Sequence, residues 1–133
     1  MSRLEYGLLD TSIIIDITEL PTDSLPLHSA ISAITLAELE AGVYAAKSEI
    51  ERSARLDRLQ RTEAAFSPIP FDASAARAYG RIYAAVVALG RKPRRRFADL
   101  QIAATALAHN LPLFTRNPDD FFGLHELVSV YPL

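Results

Sequence analysis

Residues 7–16 read Gly7-Leu8-Leu9-Asp10-Thr11-Ser12-Ile13-Ile14-Ile15-Asp16 (GLLDTSIIID). Tyr6–Leu9 has the short apolar run of a buried strand, and Ile13–Ile15 is a second apolar run. Between them stands a carboxylate, Asp10, with two hydroxyl residues behind it. Such a charge is tolerable if the strand ends at the rim of a sheet rather than inside a core. Thr11 and Ser12 can then hydrogen-bond the carboxylate or cap the helix that follows.

Outward from this stretch the pattern alternates. A helix is expected over Thr11 to about Leu20, closed by Pro21, then a strand over His28–Ala33. Helices are expected over Thr35 to about Ala46, Glu49–Ala65 and, capped by Asp72 and ended by Gly90, on to about Leu89. Ser67–Phe71 reads as a short strand or extended link. A basic connector, 91–96, precedes a helix over Phe97–Asn110. Leu111–Thr115 and Leu127–Tyr131 read as strands, with a short helical turn from Asn117-Pro118 between them. Strands alternating with helices predict an α/β domain with a short, mainly parallel sheet of four or five strands. In such a sheet the strand C-termini and the following helix N-termini share one edge, where ligands bind.

The chain has 133 residues, which suits a single domain over 1–133. Half of the residues are hydrophobic and 23% charged, an ordinary globular balance. With no cysteine, disulfides and thiolate zinc sites are excluded. No signal peptide or membrane-length apolar run is visible, so a cytoplasmic location is expected. The net charge of −2 means that any nucleic-acid binding must be local.

Four carboxylates occupy comparable places: Asp10 after the first strand, Glu38 and Asp99 in first helical turns, and Asp120 after Leu111–Thr115. Each alone is explained by the helix dipole, worth about 0.3–1 kcal/mol. Thr35-Leu36-Ala37-Glu38 fits a capping box, and Asn117-Pro118-Asp119-Asp120 fits a cap with first-turn acids. Together they converge on one edge, where like charges repel unless some are protonated or a cation neutralises them. An all-oxygen set suits Mg²⁺ or Mn²⁺. His28, His109 and His125 lack metal spacing and read as surface or strand residues.

A carboxylate-held hard metal suits hydrolysis at phosphorus. Arg91, Lys92, Arg94, Arg95 and Arg96 lie just before Asp99, and Arg116 lies beside the last acids, offering a cationic approach for a polyanion. On composition alone a solvated connector, or a dock for an acidic protein, explains the run equally well. Arg52, Arg55, Arg58 and Arg61 drift around a helix beside Glu49, Glu51 and Glu63 and read as a solvated face.

Four ordered motifs, LLDTS, TLAELEAG, FADLQIAATA and LFTRNPDDF, cover essentially the whole chain. Together they resemble PIN-domain proteins, and most closely the VapC-type toxins of bacterial toxin–antitoxin pairs. The resemblance implies a PIN-like three-layer α/β/α domain and an Mg²⁺- or Mn²⁺-dependent endoribonuclease acting on tRNA, rRNA or mRNA. It also implies a homodimer and a cognate VapB-type antitoxin. Carried onto this sequence, it assigns the acidic site and metal ligands to Asp10, Glu38 and Asp99. At the fourth position it leaves Asp120 ahead of its neighbour Asp119. Thr11, Ser12 and Thr115 become hydroxyl partners of the acids, and Arg94, Arg95, Arg96 and Arg116 become RNA contacts.

Three other readings compete. A response-regulator receiver needs a lysine after the last strands, and the lysines here are Lys47 and Lys92. A haloacid-dehalogenase phosphatase needs a second aspartate where Ser12 stands. A PIN-like binding module with an unused pocket is the rival of a different class, separable by a nuclease assay with and without chelator.

Overall fold

The computed structural model describes residues 3–133, apart from the Arg95 side chain. The strands are β1 (Tyr6–Leu9), β2 (His28–Ala30), β3 (Leu113–Thr115) and β4 (Val130–Pro132). The α-helices are α1 (Thr11–Ile15), α2 (Ala33–Ala45), α3 (Glu49–Ala65), α4 (Ala73–Ala88) and α5 (Phe97–Ala108). The strand order is β2-β1-β3-β4 and every pairing is parallel.

Successive strand residues point to opposite faces, and the two cores follow from that alternation. Leu8 and Leu113 pack with Ala78, Ile82, Val86, Leu100 and Ala103 from α4 and α5. Leu9 and Phe114 pack with Ile13, Ile14, Leu39, Val43 and Leu59 from α1, α2 and α3. Helices thus cover both faces of the sheet, giving the three layers. Gly7 is required at its place in β1, because a Cβ there would meet Phe114 Cε1 at 2.5 Å and Pro26 Cγ at 2.9 Å. Gly90, with φ +73°, turns the chain out of α4. The Asp72 side chain caps that helix by accepting from the Ala75 N–H at 3.0 Å.

Several boundaries differ from the sequence reading. The helix expected over Thr11 to Leu20 stops at Ile15 and gives way to 3₁₀ turns at Ile17–Glu19 and Thr22–Ser24. Three consecutive β-branched isoleucines extend a helix poorly, and burial of Ile13 and Ile14 anchors the short piece to the sheet. The strand expected to reach Ala33 ends at Ala30. Beyond it Ile31 and Ala33 hydrogen-bond Ile69, which leaves Ser67–Phe71 as an extended link with one parallel bridge. The capping-box expectation fails. Ser32 caps α2, accepting from the Ile34 N–H at 3.0 Å, so Thr35 lies inside the helix and Glu38 in its second turn. The last two strands are also shorter and later than expected.

Candidate active site

The sheet reverses direction of growth at β1: β2 lies on one side and β3 on the other. The C-terminal ends of β1 and β3 therefore flank a topological switch point, where open parallel sheets present a crevice. Asp10 ends β1 and Thr115 ends β3. Both are buried, Asp10 at 4% exposure and Thr115 at 0%.

Two hydroxyls fix the Asp10 carboxylate. Ser12 Oγ and Thr115 Oγ1 each donate to Asp10 Oδ2 at 2.8 Å. Both hydroxyls also accept: Ser12 Oγ takes the Arg116 N–H and Thr115 Oγ1 takes the Asn117 N–H, each at 3.0 Å. Each hydroxyl proton is thereby directed at the same carboxylate oxygen, and Oδ1 is the oxygen left to face a cation.

Thr11 serves a different acid. Its Oγ1 donates to Glu38 Oε1 at 2.6 Å and lies 2.9 Å from the buried Thr35 Oγ1. Since its one proton goes to Glu38, Thr11 must accept from Thr35. The second-turn position of Glu38 places it on this relay, so the residue mistaken for a helix cap instead supports the acid from below.

Asp99 lies in the first turn of α5, and Asp120 lies in a 3₁₀ turn, Pro118–Phe121. The Asp99 carboxyl is pushed up to about 6, first by burial and then by the charges of Asp10, Asp120 and Glu38, against an opposing pull from Arg96. The other three acids thus lie within Coulombic reach of Asp99. Asp120 makes an ion pair with Arg96, while its neighbour Asp119 is exposed.

The donor chemistry fits a hard divalent cation: carboxylate and hydroxyl oxygens, with no cysteine in the chain and the three histidines elsewhere. The mutual repulsion felt by Asp99 is what such a cation would relieve. Among the described residues, no three acidic or histidine side chains are drawn together tightly enough to form a ready ligand set. The acids share one rim without closing on a common point.

The expected cationic surface divides. Arg96 is engaged by Asp120, and Arg116 Nη1 donates to Asp16 Oδ2 at 3.1 Å. Arg94 is exposed, and the Arg95 side chain lies outside the described residues. Arg91 stacks over Phe122, 5.0 Å from the ring centre. Sequence reasoning missed Asp16, although it closes the opening stretch: its partner lies a hundred residues away. It also missed Thr35 as the support of Thr11, and Arg58, which lines a cavity beside Glu38. The arginine series on α3 is partly a solvated face, with Arg52–Glu49 and Arg61–Asp57 pairs.

Comparison with known proteins agrees with this architecture. The PIN domain family model matches residues 7–124. Ribonuclease VapC5 of Mycobacterium tuberculosis is 38% identical over 127 residues, covering 93% of this chain and 91% of the relative. Ribonuclease VapC of Rickettsia bellii is 32% identical, covering 95% and 96%. The crystal structure of VapBC-5 from M. tuberculosis, a member of the VapBC family of toxin–antitoxin systems, matches with a TM-score of 0.81. It is 37% identical, with 96% of this chain and 97% of that chain covered. No described helix is long and apolar enough to cross a membrane.

Proposed function

This chain belongs to the PIN domain family, and from that premise we propose that its acidic rim is the metal-dependent active site of an endoribonuclease. The protein is a VapC-type ribonuclease, the toxin of a toxin–antitoxin pair whose other member is a VapB-type antitoxin. The substrate we propose is cytoplasmic RNA, whether tRNA, rRNA or mRNA, and the cofactor Mg²⁺ or Mn²⁺.

One observation carries the site assignment: a buried aspartate at the switch point is held on one oxygen by two hydroxyls, and its charge, with those of Asp120 and Glu38, is felt by Asp99. When bound, the metal would supply a nucleophilic water near neutral pH and stabilise charge on the phosphate oxygens. The chain's own residues supply position. Ser12 and Thr115 keep the Asp10 carboxylate from rotating, so that Oδ1 presents to the rim. Thr11, receiving from Thr35, likewise holds Glu38 by Oε1, which leaves Oε2 for the rim. Asp99 and Asp120 complete the negative field that retains the cation. Arg94 and Arg95 would draw the phosphate backbone toward the rim, with Arg96 and Arg116 held by their acidic partners at its margin.

We further propose a homodimer, supported by the apolar side chains that α2 and α4 leave in solvent, Tyr44 at 82% exposure and Val87 at 50%. Light scattering on the antitoxin-free chain tests this, and a monomer at micromolar concentration would refute it.

The central experiment is cleavage of RNA by purified protein freed of antitoxin. Activity should be abolished by EDTA and restored by Mg²⁺ or Mn²⁺. Cleavage that survives chelation would overturn the mechanism. RNA binding without any cleavage would leave a binding module instead.

A further inference from the structure

A cavity of about 480 Å³ opens between α1, α2 and α3, with Thr11, Ile15, Glu38, Leu39, Arg55 and Arg58 in its wall. Thr11 and Glu38 also belong to the acidic rim, so the cavity adjoins the site of cleavage. We propose that this cavity holds the ribonucleotide next to the cleaved bond, with Arg58 on its phosphate. The inference rests on the ribonuclease reading and extends it to a second, separate contact with substrate.

The two arginines in the wall have different duties. Arg55 pairs with Glu51 and donates Nη1 to the Gly42 carbonyl at 2.7 Å, tying α3 to α2. Arg58, one turn further along and half-buried, has no carboxylate partner among the described residues. It lines this hollow and a smaller neighbouring one between α1 and α3, and its charge is not taken up by an acid among the described residues. A guanidinium engages a phosphodiester through paired N–H donors and resists desolvation less than an ammonium does. Beside it, Ile15 is apolar yet 46% exposed, a surface suited to a ribose or base.

An RNA strand cut at the rim must continue past it, and this hollow is continuous with Glu38. A partner's acidic side chain would also meet Arg58, but its short carboxylate would leave the apolar wall uncovered, and Glu38 and Glu51 in the same wall repel either anion alike. A nucleotide offers both the anion and the flat apolar body.

The test uses the full chain and a 5′-fluorescein-labelled single-stranded RNA of mixed sequence. In an Asp10→Asn background, which should hold RNA without cutting it, anisotropy titrations are run over a range of salt. Arg58→Gln should weaken binding about tenfold and lower the salt slope by about 0.7, the value for one phosphate contact on a single strand. With Asp10 intact, Arg58→Gln should raise KM with kcat largely kept, and Arg58→Lys should restore the slope and part of the affinity. Ile15→Glu, at a position 46% exposed, should also weaken binding and covers the case in which Arg58→Gln fails to fold.

Unchanged affinity, slope and KM in folded variants would overturn the inference. So would variants that lose antitoxin binding while RNA binding stays as it was, because the hollow would then belong to the protein partner. Should the otherwise unaltered chain neither bind nor cut RNA, the ribonuclease reading itself falls. A chain that cuts RNA but is indifferent to Arg58 refutes only this subsite.

Discussion

The two ends of the acidic rim are built differently. At the Asp10 end the carboxylate is buried, attached directly to a central strand and fixed by two hydroxyls that are themselves held by backbone N–H groups. At the Asp120 end the carboxylate sits on a 3₁₀ turn, about one-third exposed, and is engaged by a side chain from the basic connector. The first end is preorganised; the second is adjustable. In the proposed site, the contrast would let an enzyme of this size combine a fixed point for a metal with a margin that can yield to a large substrate.

The largest expected effect comes from breaking the fixed end. Asp10→Asn keeps nearly the same shape but loses a charge, and RNA cleavage should fall about a thousandfold or more, since metal stabilisation of the transition state is worth several kcal/mol. A folded Asp10→Asn variant with full activity would move the metal elsewhere. Next comes the support. Thr115→Val removes the donor to Asp10 and the acceptor of the Asn117 N–H. Metal affinity should drop about 10- to 100-fold by calorimetry, and denaturant unfolding should show a loss of about 1–3 kcal/mol.

The middle of the rim gives a pH signature in the metal-free protein. Asp99 has its ordinary value of 3.8 raised to about 6, so between those limits the folded state binds more protons than the unfolded state. Stability therefore falls as pH rises through that window and levels off above it. Thermal melts in chelator should show this decline, and Asp99→Asn should flatten it. The smallest effect belongs to the adjustable end. Arg96→Gln frees Asp120 and removes a nearby positive charge, so metal should bind about two- to fivefold more tightly in the absence of RNA, in proportion to an ion pair about one-third exposed. An equal loss of metal affinity from Thr115→Val and Arg96→Gln would erase the distinction between the two ends.

Much of this was legible in the sequence. Short apolar runs predict strands that stop at one edge, and the four acids stand out because each lies near an expected helix start, Asp10 and Asp120 after a strand and Asp99 after the basic connector. Glu38 was found through a false cue. Thr35-Leu36-Ala37-Glu38 has the spacing of a capping box, but Ser32, three residues earlier, has the same chemistry. The choice between them is made by the Ile31 and Ala33 hydrogen bonds to Ile69, which local spacing does not encode. The break after Ile15 was hidden because the isoleucine run satisfies helical and strand patterns alike. The Asp16–Arg116 pair and the aim of Arg58 depend on helix packing, so charge spacing along the chain gives no hint of either.

The bond between Asp10 and Thr115 joins residues 105 positions apart, and it has a bearing on how a cell can make such a protein at all. A ribosome delivers Thr115 only after all the residues that separate it from Asp10. Until β3 has left the exit tunnel and docked beside β1, the Asp10 carboxylate lacks the Thr115 donor, and Ser12 lacks the Arg116 N–H that directs its proton. If the proposed site is the toxin's cutting centre, its completion by a distant strand would spare the machinery still translating the intervening chain and give a co-produced antidote that interval in which to arrive.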